Sequence, residues 1–312
     1  MKYAIVGLGS IGLSHVQAME KAKNCSLAAV CDINEEAAKK YGEKYNVPYF
    51  TDYKQIPGNC DADAVVLNLP HWLHCEVTEF FLDNGIHVLC EKPMANTPEE
   101  CQRMIAARDR SGKKLALAHP QSFMGATRKV KEIVDSGELG QLVMMTECRS
   151  VDYFEPGRPN WFKDKKLAGG GITINYGAHA LDKFMYITGS KPKSVVSVVG
   201  NNKTDHTIEG HSQFQVLFEN GVSASVTFSG YHCSAYEDLF YFTNGTIKVC
   251  GGTHMYRSID REWVFEELPA IPWSIQLELE AFEQYVTNGE SDIPKAEYGA
   301  TIIETIDKVY NG

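Results

Sequence analysis

Lys2-Tyr-Ala-Ile-Val-Gly7-Leu-Gly9-Ser-Ile-Gly12 is the stretch from which the fold is read. Its first residues make a short apolar strand, and the glycines follow at once. A helical pattern then runs from about Ile11 to Lys21. Strand, glycine turn and helix are the context in which G-x-G-x-x-G holds a dinucleotide. Gly7 allows the tight bend, Gly9 lets a pyrophosphate approach the backbone, and Gly12 lets helix and strand close together. The helix start, at Ser10 and Ile11, offers unpaired N–H groups and a partial positive charge to phosphates.

The next strand, Leu27–Cys31, ends at Asp32, where a carboxylate can accept from the adenosine ribose hydroxyls. That aspartate speaks to cofactor choice. A ribose 2′-phosphate about 4 Å away would be opposed by roughly 4 kcal/mol at an effective dielectric near 20. Ile33 and Asn34 bring no arginine to compensate, so NAD is expected over NADP. A strand-end aspartate that caps the following helix is the alternative reading.

Helix and strand patterns then alternate: Glu35–Tyr45 helical, Ala64–Leu69 strand, His74–Asn84 helical, Ile86–Cys90 strand. Thr97-Pro-Glu-Glu100 is a capping box with proline at the first helical position. Its helix runs to about Ser111, and Lys114–Ala118 is another strand. This order predicts a parallel sheet built from right-handed βαβ units. Asn68-Leu69-Pro70-His71 closes the Ala64 strand, so Leu69, Pro70, His71 and His74 are expected along the cofactor. His71, His74 and Cys75 offer three zinc donors, but nothing nearby completes a tetrahedral set, and no metal is expected.

The strand from Ile86 stops at Glu91-Lys92-Pro93. Proline ends the ladder, and the two charges sit at the carboxyl edge where open α/β sheets hold ligands. A lysine there can reach a substrate hydroxyl beside a cofactor. Taken alone, the same three residues also fit a solvated charge pair leading into a loop.

The pattern changes in the second half. After a helix from about Gly125 to Gly137, the segments Leu142–Ser150, Ser194–Val199, His211–Glu219, Val222–Gly230, Leu239–Thr243 and Thr246–Cys250 read as strands. Asn220-Gly221 and Asn244-Gly245 each separate two of them, a strong hairpin signal. The second half is therefore predicted to be a mostly antiparallel sheet with helices. In 222–229 the apolar residues alternate with Ser223, Ser225, Thr227 and Ser229, giving one core face and one uncharged polar face. That polar face suits a second copy of the chain, or solvent. Gly169-Gly-Gly171 leads into a helix ending at Gly189, and Asn175, His179 and Asp182 share one of its faces. Helices at about Gln276–Thr287 and Ala296–Tyr310 follow.

Composition narrows the function classes. With 312 residues, two domains are expected, divided at about residue 120. A net charge of −10 and the lack of a basic stripe argue against nucleic acid. No run is long enough to span a membrane. Nine cysteines are scattered without C-x-x-C spacing, which predicts buried thiols in a reducing compartment. Met1–Val6 is too short for a signal-peptide apolar region, and a cytoplasmic location is expected.

Over essentially its whole length the chain resembles the glucose–fructose oxidoreductase / inositol dehydrogenase / MocA family. Gly7–Gly12, Glu91-Lys92-Pro93, Ser136-Gly-Glu-Leu-Gly140 and Gly169-Gly-Gly171 through His179-Ala-Leu-Asp182 carry the resemblance. It implies a Rossmann domain (1–120) followed by an α/β domain (121–312) with a large open sheet that serves substrate binding and oligomerisation. It also implies reversible oxidation of a hydroxyl on a sugar, cyclitol or related compound, with a catalytic lysine that maps to Lys92 and a histidine that maps to His179. Two positions depart from the family pattern. Asn175 stands where aspartate is common, and Pro120-Gln-Ser-Phe123 replaces the frequent Asn-Arg-Arg-Phe.

The chemistry expected is hydride transfer from a carbinol carbon to nicotinamide. Histidine is the side chain whose unperturbed pKa lies near neutrality, so His179 is the candidate base, or acid in reduction. Lys92 donates to the reacting oxygen, and Asn175 orients His179 or holds a hydroxyl. Asp32, Glu91, Lys92 and the glycine turn are expected on the cofactor, and a polyhydroxylated small molecule is the expected substrate. A homodimer or homotetramer through the C-terminal sheet is the expected assembly. Arg149, Asp152, Tyr153, Arg158, Asn160, Trp161 and Lys163 lie on a strand end and the loop after it; a solvated loop is the default reading, and the alternative is a loop lining the substrate mouth with an arginine that grips a carboxylate or phosphate. Two other classes share these motifs: an NAD-binding regulator, and a glycosidase or lyase that uses NAD transiently.

Overall fold

A computed structural model describes residues 1–202, 205–231 and 234–311. Cys233, among the thiols expected to be buried, lies outside these residues. The chain forms two compact units. One comprises Met1–Pro120 with Pro272–Ala300, the other Gln121–Ile271 with Thr301–Gly312.

The first unit is built on six strands among the described residues: β1 (Lys2–Val6), β2 (Ser26–Cys31), β3 (Tyr49–Phe50), β4 (Ala64–Leu67), β5 (His87–Glu91) and β6 (Leu115–Ala118). They are parallel and lie in the order β3-β2-β1-β4-β5-β6. β4 and β6 are buried along their whole length, as expected of strands covered on both faces. Helices α1 (Ser10–Met19), α2 (Glu35–Tyr45), α3 (His74–Asp83) and α4 (Pro98–Ser111) connect them. Their starts follow local chemistry. Asn34 Oδ1 accepts from Ala37 N at 3.2 Å to open α2. Thr97 Oγ1 accepts from Glu100 N at 3.3 Å to open α4. The return bond of that capping box lands one residue early, from Asn96 N to Glu100 Oε2.

The stretch 272–300, which chain order alone attaches to the second half, packs with the first. Tyr3 Oη donates to Leu279 O at 3.2 Å, and Leu117 N donates to Pro294 O at 2.8 Å.

The second unit contains β7 (Leu142–Ser150), β8 (Pro192–Gly200), β9 (His211–Phe218), β10 (Ser223–Ser229), β11 (Ala235–Phe242), β12 (Gly245–Cys250), β13 (His254–Ile259) and β14 (Glu262–Glu266). Their order is β14-β13-β12-β11-β7-β10-β9-β8. All neighbours are antiparallel except β7 and β10. Its helices are α5 (Gly125–Ser136), the short α6 (Lys165–Ala168) and α7 (Ile172–Thr188). Helix α8 (Ser274–Asn288) belongs to the first unit, and the division Ala300/Thr301 falls inside α9 (Ala296–Asn311).

Both Asn-Gly pairs mark hairpins, by different geometries. At the first, Gly221 takes φ +89° in the four residues, 219–222, that connect β9 to β10. At the second, Phe242 pairs with Gly245, so Thr243 and Asn244 make the turn and the glycine already belongs to β12. β13 and β14 extend the sheet beyond the expected strands. Trp263, Val264 and Phe265 are all exposed, so β14 has no alternation of apolar and polar residues to read.

Candidate active site

In the first unit the expected cofactor residues gather at one edge of the parallel sheet. Gly7–Gly12 follow β1, Asp32 follows β2, Leu69–His74 follow β4, and Glu91 and Lys92 end β5. Strand order reverses between β1 and β4, and the crevice at such a reversal is where dinucleotides bind in this architecture. Gly7 adopts φ +93°, and a Cβ on Gly12 would collide with the carbonyl of Gly7. A Cβ on Gly9 would meet nothing within 4 Å. That leaves room for a phosphate against an α1 terminus that no side chain caps. These residues fit a bound pyrophosphate.

Asp32 is braced into the same turn. Its Oδ2 accepts from Leu8 N at 2.7 Å and its Oδ1 from Asn34 N at 2.8 Å. The helix cap is Asn34, so the capping role weighed for Asp32 belongs to its neighbour. Each carboxylate oxygen keeps a lone pair for a ribose hydroxyl.

Glu91 is not part of a solvated pair. It is buried, its Oε1 lies 3.0 Å from Nε2 of buried His15, and its Oε2 accepts from Lys92 N at 3.1 Å. The strand end that carries Lys92 is thereby tied to α1, the helix that starts at the glycine turn. His74 makes a second brace, its ring nitrogens 2.8 Å from Leu69 O and 2.9 Å from Pro93 O. Burial lowers its pKa, against the pull of those two carbonyls. Neutral His74 donates to one of these carbonyls, according to its tautomer, and with both nitrogens facing backbone oxygens it cannot ligate zinc as placed.

Sequence reading missed His15 and His119. His119 follows β6, and Glu91 pairs with Ala118 across β5 and β6, so His119 stands next to Lys92. It is fully buried, and burial, aided by the charge of Lys92, lowers its pKa to about 3. A histidine just past a parallel strand is the same kind of carboxyl-edge signal that singled out Lys92. His15 gives no such signal, because its partner lies 76 positions away.

In the second unit α7 carries Asn175, His179 and Asp182, as the spacing predicts. Of the three glycines before it, Gly169 ends α6 with φ +77°, and the other two are explained by what crowds them. A Cβ on Gly170 would collide with the Tyr310 hydroxyl, and one on Gly171 with Glu209 O. The buried Glu209 carboxylate caps the helix, accepting from Gly171 N at 2.9 Å and Thr173 N at 2.8 Å. Tyr310 donates to Glu209 at 2.9 Å and accepts from Ile174 N at 3.2 Å. Negative charge is favoured at such a terminus. Asn175 and His179 are half-buried, and Asp182 is fully buried.

Asp182 Oδ2 accepts from Gln121 N at 3.1 Å. Arg128 Nε donates to Ser122 O at 3.0 Å. The departing segment 120–123 is thus a turn whose Gln121, Ser122 and Phe123 are buried. Arg149, at the strand end, and Tyr153, in the loop read as solvated or as lining the substrate mouth, are buried as well. Arg149 lies on β7, paired with Glu147 at 2.9 Å. Arg158 covers the Tyr153 ring at 4.2 Å. Burial raises the Tyr153 pKa, while Arg158 and Asn175 act against it.

Fold and site define a Rossmann-type dinucleotide-binding chain joined to a second unit with a large, mostly antiparallel sheet. Residues 1–119 match the oxidoreductase family with an NAD-binding Rossmann fold, and residues 127–254 match the C-terminal domain of the same family. The chain belongs to the Gfo/Idh/MocA oxidoreductase family. It is 30% identical over 74% of its length to a 1-carboxy-3-chloro-3,4-dihydroxycyclohexa-1,5-diene dehydrogenase of Comamonas testosteroni, 58% of which is covered. It is 34% identical over 61% of its length to the D-glucoside 3-dehydrogenase of Escherichia coli K12, 54% of which is covered. The match therefore spans little more than half of each relative. The crystal structure of aldose-aldose oxidoreductase from Caulobacter crescentus, complexed with glycerol, superposes with a TM-score of 0.92 at 27% identity, covering 100% of this chain and 96% of that one. Among the described residues, no helix is long and apolar enough to cross a membrane.

Proposed function

We propose that the chain is an NAD-dependent dehydrogenase that reversibly oxidises a hydroxyl group of a sugar, cyclitol or sugar derivative in the cytoplasm. One observation carries this reading. Lys92 sits at the carboxyl edge of the parallel sheet, its backbone fixed by Glu91, which His15 ties to the helix of the glycine turn. A solvated loop lysine would need no such brace. The names of the two relatives, a dihydroxycyclohexadiene dehydrogenase and a D-glucoside 3-dehydrogenase, support the substrate class.

Bound NAD supplies the hydride acceptor. The protein has to bind it, hold the alcohol and move one proton. Gly9, Ser10, Ile11 and Gly12 would offer backbone N–H groups to the pyrophosphate, Gly7 makes the bend with its own N–H held by Cys31 O at 2.8 Å, and Asp32 would take the ribose hydroxyls. Leu69, Pro70, His71 and His74 form the wall that follows β4, with Glu91 and Lys92 after β5. Lys92 donates to the reacting oxygen and stabilises developing negative charge on it. His179 takes the hydroxyl proton in oxidation and returns it in reduction. Asn175, which cannot take a proton itself, orients the imidazole or a substrate hydroxyl. The buried His119 beside Lys92 stays neutral, so its charge does not compete for the same anion.

The outward face of the large sheet fits a second copy. Val196, Val198, Leu217, Met144, Trp263 and Phe265 are exposed. Strand register places them on one side with Gln213, Ser225 and Thr227. Exposed apolar side chains set among polar ones, with Glu237 and Lys248 on the same side, favour a homodimer or homotetramer through this face.

A second reading, transient oxidation that enables elimination without net turnover of NAD, is favoured by Asn175 in the place of an acid. Absorbance at the NADH band, followed while polyols, inositols, aldoses, glycosides and uronates are offered with NAD, tests the main reading. Net NADH formation with at least one of them is expected. Substrate consumption without net NADH would establish the second reading instead. Saturable NAD binding with no substrate consumed would reduce the chain to a binding protein.

A further inference from the structure

We infer that Arg149 is a positioning residue for His179, seated by a buried ionic network on the helix-facing side of the large sheet. The inference rests on the reading of His179 as the acid–base group.

Arg149 enters from β7 and is 8% exposed. Its guanidinium lies between two tyrosine rings, 3.8 Å from the Tyr236 centroid and 4.8 Å from that of Tyr176. Tyr176 belongs to α7, and its ring is tilted against that of His179 with centroids 6.3 Å apart. A contact path of three side chains therefore runs from the sheet to the imidazole. Only a planar cation fills the slot between two rings in this way.

What seats Arg149 is a set of four buried charges. Glu147 pairs with it at 2.9 Å. Glu147 and Asp238 face each other directly across β7 and β11, a placement that brings two carboxylates together out of water. Lys183, one helical turn past His179, joins them. Its Nζ lies 2.7 Å from Glu147 Oε2, binds Asp238 Oδ1, and donates to the Tyr236 hydroxyl at 3.1 Å. Two anions and two cations balance. Burial works against the charge on Lys183, but Asp238 and Glu147 outweigh it and hold its pKa above the usual range.

Apolar side chains of similar volume generally stabilise a core as well as a buried ionic set does, so stability alone does not account for four charges here. What such a set provides is register. α7 cannot rotate or slide without pulling Lys183 off two carboxylates. The Arg149–Tyr176 stack then fixes the ring that backs His179. Arg149 touches none of the reacting atoms in this account; it acts through Tyr176.

Arg149→Lys tests it, since lysine keeps the charge and loses the planar stack. Two readouts are needed: the NMR signal and titration of the His179 imidazole, identified by its loss in His179→Asn, and kcat at saturating NAD. Arg149→Lys is expected to move the His179 signal and lower kcat by about tenfold or more, the scale of a sub-ångström to one-ångström misplacement. NAD affinity should hold. If Arg149→Lys fails to fold, Tyr176→Leu, which breaks the same path without touching a charge, carries the test with the same expected result. A folded variant with the His179 signal and kcat of the parent overturns the inference, whatever His179→Ala does. If His179→Ala keeps full turnover while the signal still moves in Arg149→Lys, the positioning stands and the acid–base reading falls.

Discussion

Asp32 shows how much one side chain is asked to do. Both of its oxygens already brace the backbone at Leu8 and Asn34, and under the proposed function the same carboxylate would oppose a 2′-phosphate. Replacing it with serine removes the repulsion and one brace together. Asp32→Ser should raise the ratio of NADP to NAD use by at least about tenfold, a fraction of the unscreened Coulomb term because the site is half-exposed. The KM for NAD should rise too, since the turn loses its anchor. Steady-state kinetics with both cofactors read the change, and an unaltered ratio would remove Asp32 from the ribose. Gly7, Gly9, Gly12 and Asp32 were legible in the chain because their requirements are local: a bend, an open approach and a strand end. Glu209 and Tyr310 were not. They act on α7 from 36 and 136 positions away, and nothing in either neighbourhood announces a helix cap.

Between elements, the joins matter more than the pieces. β5 was legible as a buried apolar run, yet its last residue, Glu91, was open to reading as a solvated charge until the structure placed His15 against it. Removing that partner should expose the cost. His15→Leu leaves buried Glu91 Oε1 without its donor, while Oε2 keeps the bond from Lys92 N, a loss of about 1–3 kcal/mol. The urea midpoint should fall accordingly, and His15→Gln, which can still donate, should recover most of it. Turnover should follow the same order, because Glu91 holds the backbone of Lys92. An unchanged midpoint in His15→Leu would mean the brace contributes nothing. β14 shows the other limit of sequence: a strand exposed on both faces carries no period to detect. The Asn244-Gly245 pair marks a hairpin correctly, and its glycine still sits in the strand and not in the turn.

At the scale of the whole molecule, acid should reach the two units differently. His74 and His119 are fully buried in the first unit with pKa values lowered by burial, His119 to about 3. His87 is lowered as well, to about 4. The unfolded chain takes up protons near pH 6.5 while these groups stay neutral. The stability they contribute is therefore full above 6.5 and drains as pH falls toward their folded values. The slope for each fully buried histidine is up to about 1.4 kcal/mol per pH unit. Asp238 in the second unit has the opposite sign. Burial raises its pKa to about 6, so the folded state takes its proton first as pH falls and gains relative to the unfolded chain. Hydrogen exchange, corrected for intrinsic rates and compared at pH 7 and 5, should show β4–β6 losing protection before β9–β11; the reverse order would contradict this assignment. Association belongs to the same scale. Val198→Asp places a charge in the outward apolar patch and should shift the protein to monomer in light scattering, whereas an unchanged mass would exclude that face as the interface.

The central claim is that His179 moves the proton of the alcohol whose hydride passes to NAD. Single-turnover formation of NADH by His179→Ala at saturating NAD, with a substrate found in the screen, tests it most directly. A rate lower by about 10²–10⁴, with the Kd for NAD unchanged, is the predicted result. A rate equal to that of the parent protein would contradict it.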